Sequence, residues 1–211
     1  MTPNEARDAL WRDLGFRNDK ESVLFAELNA AQKRLESDPK IELPWFLQSL
    51  YSSWNTSDGV QELALPSGFL MLEDDIPPQY YDTSEAIWID IGVSDVGFLR
   101  ANYPGEGAPK AIALVGTQVL VFPIPDGAYN IRSYLYRRGD TIVKDGPETP
   151  WLAEAPDLLI GEAGVIMAGD LRDQGAIVLT NNRRKEGMLR LMQRINQRAL
   201  VGQRLQMGGS D

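Results

Sequence analysis

Hydrophobic residues recur with a helical period at both ends of this chain and with a period of two in the middle. Asn4 to Leu14 puts Leu10 and Leu14 on one stripe, with Trp11 beside them and Gly15 placed to stop the helix. A second helix is expected from a cap at Asn18 or Asp19, with Glu21 in its first turn, where the helix dipole favours an acid. Its apolar stripe is Leu24, Leu28, Ala31 and Leu35, and Asp38-Pro39 ends it. Together the two segments predict an antiparallel helix pair.

From Ile41 to Val115 the chain is β-leaning and broken by turns. Phe46 to Trp54 alternates, which predicts a strand with Phe46, Leu50 and Trp54 on one face. Gly59 is a turn, Val60–Leu65 a short strand, and Pro66-Ser67-Gly68 another turn. Glu73-Asp74-Asp75 before Pro77-Pro78 reads as an acidic, exposed loop, with Tyr80-Tyr81 beside it as the most exposed-looking aromatic pair. Ile87, Ile89 and Ile91 mark a strand. Ser94 is the expected cap of a short helix through Asn102. Lys110–Val115 and Val119–Phe122 read as two strands meeting at Gly116-Thr117.

Tyr129 to Tyr136 alternates, with Tyr129, Ile131, Ser133 and Leu135 on one face. Pro125-Asp126-Gly127 supplies a proline that presets φ and a glycine that accepts positive φ, so Val119–Tyr136 predicts a β-hairpin. Leu158 to Leu171 is apolar nearly all round, as in a helix buried on most sides, and Gly161, Gly164 and Gly169 suit close helix packing there. A long helix is expected from near Asn182 to Leu205. Met188, Met192, Ile195 and Ala199 form its inner stripe, with Arg183, Arg190, Arg194, Arg198 and Arg204 opposite. The end, Met207 to Asp211, is expected to be free in solution. The class is α+β: an N-terminal helix pair (1–40) and two C-terminal helices (151–211) form one core around an inserted antiparallel β-rich lobe (41–150).

The absence of cysteine and histidine changes the picture most. It removes thiolate chemistry, cysteine-ligated metal and the commonest general base, so no catalytic residue, metal ligand or cofactor site is assigned. Charge is uneven. Residues 1–180 carry 14 Lys/Arg against 28 Asp/Glu, while 181–211 carry 7 against 2, within a net charge of −9. An acidic body argues against wrapping nucleic acid, and a basic end argues for a complementary partner surface there. No apolar run is long enough to span a membrane, and the first residues lack a secretory signal core. A soluble protein made in a cytoplasm is therefore expected.

Several segments in this order resemble a known family. They are "DALWRDLGFRND…FAELNAAQKRLE", "PWFLQ", "QELALPSGFLML", the P-x-P-D-G turn with a strand ending Y-x-Y-R-R, and the Ala/Leu-rich helix closing on "DLRD". The chain resembles, over roughly residues 7–198, the head-to-tail adaptor (connector) proteins of tailed bacteriophages, especially short-tailed ones. The resemblance implies a structural protein of the virion neck, not an enzyme. It would bind under the portal protein, form a ring with neighbouring adaptor subunits, twelve in all, and extend the channel through which DNA passes without specific binding. It would also carry tail nozzle or tail fibre proteins. The resemblance implies portal docking by the C-terminal helix, carried over to Arg183, Arg184, Lys185, Arg190, Arg194 and Arg198. Tyr80, Tyr81, Glu73, Asp74 and Asp75 are the candidate contacts to a neighbouring subunit or the tail.

Other readings compete. A neck or tail-completion protein of a long-tailed phage fits the same residues. A DNA-binding factor would use the arginine helix and bind duplex salt-sensitively. A glycosidase would need two carboxylates about 5–9 Å apart in a cleft, for which the 73–75 cluster is the candidate.

Overall fold

The computed structural model describes residues 1–16 and 23–207, with side chains through Arg198. The expected caps Asn18 and Asp19, Glu21, the side chains of Ala199 and Arg204, and the tail 208–211 lie outside the described residues. In chain order the elements are α1 (Pro3–Asp13), α2 (Leu24–Ser37), a 3₁₀ turn (Trp45–Leu47), β1 (Gln48–Asn55), β2 (Glu62–Ala64), β3 (Phe69–Leu72), β4 (Gln79–Asp82) and β5 (Ile87–Asp90). Then come β6 (Gly92–Val93), α3 (Val96–Asn102), β7 (Ala111–Val115), β8 (Gln118–Phe122), β9 (Asn130–Arg137), α4 (Pro150–Glu154), α5 (Pro156–Asp170) and α6 (Gln174–Met207). The fold is α+β. It divides into two compact units: Met1–Leu47 with Arg138–Asp211, and Gln48–Arg137.

The first unit is helical and is built around α5, which packs against α1, α2, α4 and α6. Leu158, Leu159, Ile160, Ala163, Met167 and Ala168 are buried on all sides of it, as the unbroken apolar run predicts. Thr2 caps α1 reciprocally with Glu5, and Gly15, at φ 72°, ends it as expected. The expected stripe of α2 is buried throughout. A second stripe, Asn29, Gln32 and Glu36, is polar and binds the returning chain. Asn29 bonds both the N–H and the carbonyl of Ile142 at 2.8 Å. Glu36 Oε1 accepts from Gln32, from the Gly139 N–H and from the buried Trp151 indole, the last two at 2.9 Å. Its Oε2 lies 3.3 Å from Arg138 Nε, close enough for charge pairing but not aligned as a hydrogen bond.

The α5–α6 seam is closer than side chains would permit. A Cβ on Gly161 would overlap the Arg184 backbone nitrogen, one on Gly187 the Leu158 nitrogen, and one on Gly164 the Thr180 side chain. These pairings run in opposite directions along the two helices, so α5 and α6 are antiparallel. Gly169, by contrast, faces open space, so the close-packing expectation holds only for Gly161 and Gly164. The long helix starts at Gln174 instead of near Asn182. Asp173 Oδ1 accepts from the Ala176 N–H, a cap that offsets the helix-weakening Gly175. The buried face of α6 is Ala176, Thr180, Gly187 and Leu191, not the expected methionine stripe; Met192 is 49% exposed. The small residues win that face because the backbones meet there.

The second unit pairs two sheets. One has the order β1-β9-β4-β5, with β3 also on β9; the other runs β2-β8-β7-β6. Trp54, Leu72, Ile131 and Leu135 from the first meet Ile112, Val119 and Val121 from the second in one core. The other face of the second sheet packs Ala111, Ala113, Leu120 and Phe122 with Leu99 of α3, so β7 and β8 are buried on both faces and read as continuous apolar runs. The β7–β8 turn at Gly116-Thr117 is as expected, with Val115 opposite Gln118. The β6–β7 pair is parallel, with α3 as its crossover.

The predicted β8–β9 hairpin does not form, because the two strands lie in different sheets. β8 already has β2 and β7 on its two edges, and β9 has β1 on one and β3 and β4 on the other. Gly127 is not at positive φ. The connection instead binds the 56–59 loop, with Gly59 N–H donating to Pro125 and Thr56 Oγ1 to Gly127. Phe46 sits in the 3₁₀ turn, outside β1. A bulge after Tyr51 also separates Leu50, opposite outward Tyr134, from Trp54, opposite inward Ile131. The cap of α3 is Asp95, whose carboxylate accepts from the Phe98 N–H, not Ser94.

Gly187→Ala and Gly161→Ala should each cost about 3 kcal/mol or more, because backbone must move, while Gly169→Ala should be neutral or stabilise by up to about 1 kcal/mol. Urea unfolding of the three variants checks this. Glu36→Ala should cost about 3 kcal/mol, since it takes the acceptor from the buried Trp151 indole and from the Gly139 N–H, and Trp151→Phe about 1 kcal/mol; the same unfolding series measures both. Tyr129 donates to Asp126 at 2.6 Å, and that bond, with burial, pushes its phenol up to about 12. A raised folded value favours the fold below the unfolded pKa, and the gain is lost as pH rises through about 12. Absorbance titration of phenolate should show the last-ionising tyrosine vanish in Tyr129→Phe.

Candidate functional site

Four arginines of α6 face acids of their own unit. Arg183 pairs with Asp13 at the end of α1 and lies 3.7 Å from Asp157. Burial pushes the Asp13 carboxyl up, against the opposing pull of Arg183 and Arg12. Arg184 pairs with Glu162 of α5 at 3.2 Å. Arg190 reaches Asp157 at 2.6 Å. Arg194 bonds the Glu154 carboxylate at 2.9 Å and its carbonyl at 3.0 Å. Arg198 lies over the Trp45 ring, 4.2 Å from its centre. Lys185 is exposed and has no carboxylate partner among the described residues. The more exposed pairs, Arg190 with Asp157 and Arg194 with Glu154, contribute about 0–1 kcal/mol each, so they orient the helix more than they stabilise it. The partners Asp13, Glu154, Asp157, Glu162 and Trp45 carry no local signal in the sequence; only the packing of α6 reveals them.

The half-open methionine stripe forms one wall of a groove against the end of α2 and the segment after it. Leu35, Ile41, Met188 and Met192 line a cavity of about 480 Å³, and Arg34, Lys40 and Lys185 stand around it. A smaller cavity of about 80 Å³ continues it past Ile41 and Met192 to Asn196. These belong to the helical unit alone.

The candidate residues of the other unit do different things. Glu73 is half-buried at the sheet edge. Its carboxylate accepts from Gln48 at 2.6 Å and its N–H donates to the Tyr134 carbonyl. Asp74 and Asp75 are exposed, as expected, and Ile76 beside them is 37% exposed. Tyr80 is not the exposed aromatic that its neighbourhood suggested. It is 8% exposed, opposite Ile131 of β9, and meets Tyr129 edge-on at 5.7 Å. Strand alternation turns it inward, and burial pushes its phenol up. Tyr81, on the outer face, packs against Trp88, over which Arg132 lies 3.8 Å from the ring centre. Among the described residues no group of three acids, histidines or cysteines could hold a metal ion, and no helix is long and apolar enough to cross a membrane.

The geometry is thus that of contact surfaces: a latched basic helix, an apolar groove with a basic rim, and an acidic loop. No curated protein matches the chain. The family model of the SU10 adaptor protein matches residues 1–208, which include all of these features. A match over nearly the whole length, with an α+β fold in the order the head-to-tail resemblance implied, makes this a structural adaptor protein of bacteriophage virions: the chain belongs to the SU10 adaptor protein family.

Proposed function

We propose that the chain is the neck adaptor that seats beneath the portal ring, extends the DNA channel and carries the tail components, here the nozzle and fibres of a short-tailed phage. The observation that carries the reading is the placement of α6. This 34-residue helix, about 51 Å long at 1.5 Å per residue, brings the basic end of an acidic chain to one element. Its last buried side chain among those described is Leu191, and beyond it Arg194 and Arg198 act as latches to Glu154 and Trp45. Arg183 and Arg184 are held by Asp13 and Glu162, and Lys185 stands at the groove, so docking narrows to Arg190, Arg194 and Arg198, whose partners are at the surface. An acidic portal surface would exchange these pairs for its own.

The role is assembly and conduction without chemistry. Twelve copies at −9 each surround the duplex with like charge, which withholds the phosphate-binding term and lets DNA slide. Ring contacts between copies are head-to-tail and close by rotation.

Mixing the chain with the portal ring of the same phage and weighing the product by mass photometry tests this. The expected gain is that of twelve 23.5 kDa chains, about 280 kDa. The Arg190→Gln, Arg194→Gln, Arg198→Gln variant, still folded by circular dichroism, should bind at least about tenfold more weakly. A folded wild-type chain that adds no mass overturns portal docking.

A further inference from the structure

The groove beside α6 is out of keeping with the charge of the molecule. The chain carries −9, yet Arg34, Lys40 and Lys185 gather around one apolar cavity, and none of them has a carboxylate within ion-pair distance among the described residues. The acids that line it are already used: Glu162 holds Arg184, and Asp38 accepts from the Lys40 backbone N–H. Its floor is Leu35, Ile41, Met188 and Met192, with two flexible thioether side chains suited to shaping around an inserted residue. A volume of about 480 Å³ holds a few side chains. Such a site fits a short segment with an apolar anchor among carboxylates.

The chain carries a segment of that chemistry. Asp74 and Asp75 are exposed, and Ile76 between them and Pro77 is an exposed aliphatic residue. Neither aspartate has a cationic partner among the described residues, and Pro77 and Pro78 limit the conformations lost on binding. We infer that the 74–77 loop of one copy docks in the α2–α6 groove of a second copy, with Ile76 on the methionine floor and Asp74 and Asp75 against Arg34, Lys40 and Lys185. The contact is heterologous, each copy giving its loop and receiving another's, so it closes into a ring or runs on as a chain. The inference rests on the ring assembly proposed above and names the contact that would hold it.

The absence of native cysteine makes the test clean. Asn196→Cys, at the end of the groove, and Pro77→Cys, beside the anchor, are made in separate chains, mixed at high concentration and treated with a short bis-maleimide. Each chain has one thiol, so every product joins two copies. The 196–77 product should exceed the 196–196 and 77–77 products. Arg34→Glu with Lys40→Glu in the groove chain should lower it at least about tenfold, and Asp75→Arg in the loop chain should restore part of the loss. A 196–77 yield no greater than the like pairs, or one indifferent to the charge reversal, overturns the contact. The reversed residues lie outside the arginines proposed to meet the portal. Failure here with an intact mass gain on the portal ring therefore removes this contact and leaves portal docking standing.

Discussion

The close approach of α5 and α6 determines what the C-terminal half can present. Gly161, Gly164 and Gly187 let the two backbones meet where any side chain would intrude, and that fixes both the separation and the rotation of α6. Once the face of Ala176, Thr180, Gly187 and Leu191 is turned inward, the rest follows by helical geometry. The arginines fall against Asp157 and Glu154, and Met188 and Met192 fall toward the end of α2.

A second constraint closes the helical unit around the long excursion between Leu47 and Arg138. The returning chain runs along the polar stripe of α2, where Asn29, Gln32 and Glu36 take up its backbone groups and Glu36 reaches on to Trp151. Gly139 is needed there, since a Cβ would crowd the Gln32 amide and the Trp151 ring. Buried polar networks of this kind specify a single arrangement, because any slip leaves donors unpaired in a medium that cannot solvate them.

Electrostatics and packing divide the labour between surfaces. The acids of α1, α4 and α5 neutralise much of the basic helix, so its excess of arginine is partly structural. Arg34, Lys40 and Lys185, which have no such partner among the described residues, stand at the groove, where apolar floor and basic rim coincide. In a structural adaptor protein, such coincidences decide which surface meets which.

By itself the sequence determined the local elements. The α2 stripe, the buried α5, the Gly15 stop, the β7–β8 turn and the alternation of β9 all stand, because each is dictated by residues within a few positions of one another. The order of those elements also pointed to the adaptor family. Tertiary structure decided the pairings. β8 and β9 look like a hairpin because a proline-glycine turn joins two β-rich runs, but strands choose partners by edge and face, and both edges of β8 were taken. The inward turn of Tyr80 and the bulge that separates Leu50 from Trp54 were hidden for the same reason. So were the anionic partners of the arginines, since an ion pair between residues as far apart as Asp13 and Arg183 leaves no periodic trace. Period and capping act over a few residues and are written in order along the chain, whereas which face goes inward depends on how near another backbone can come.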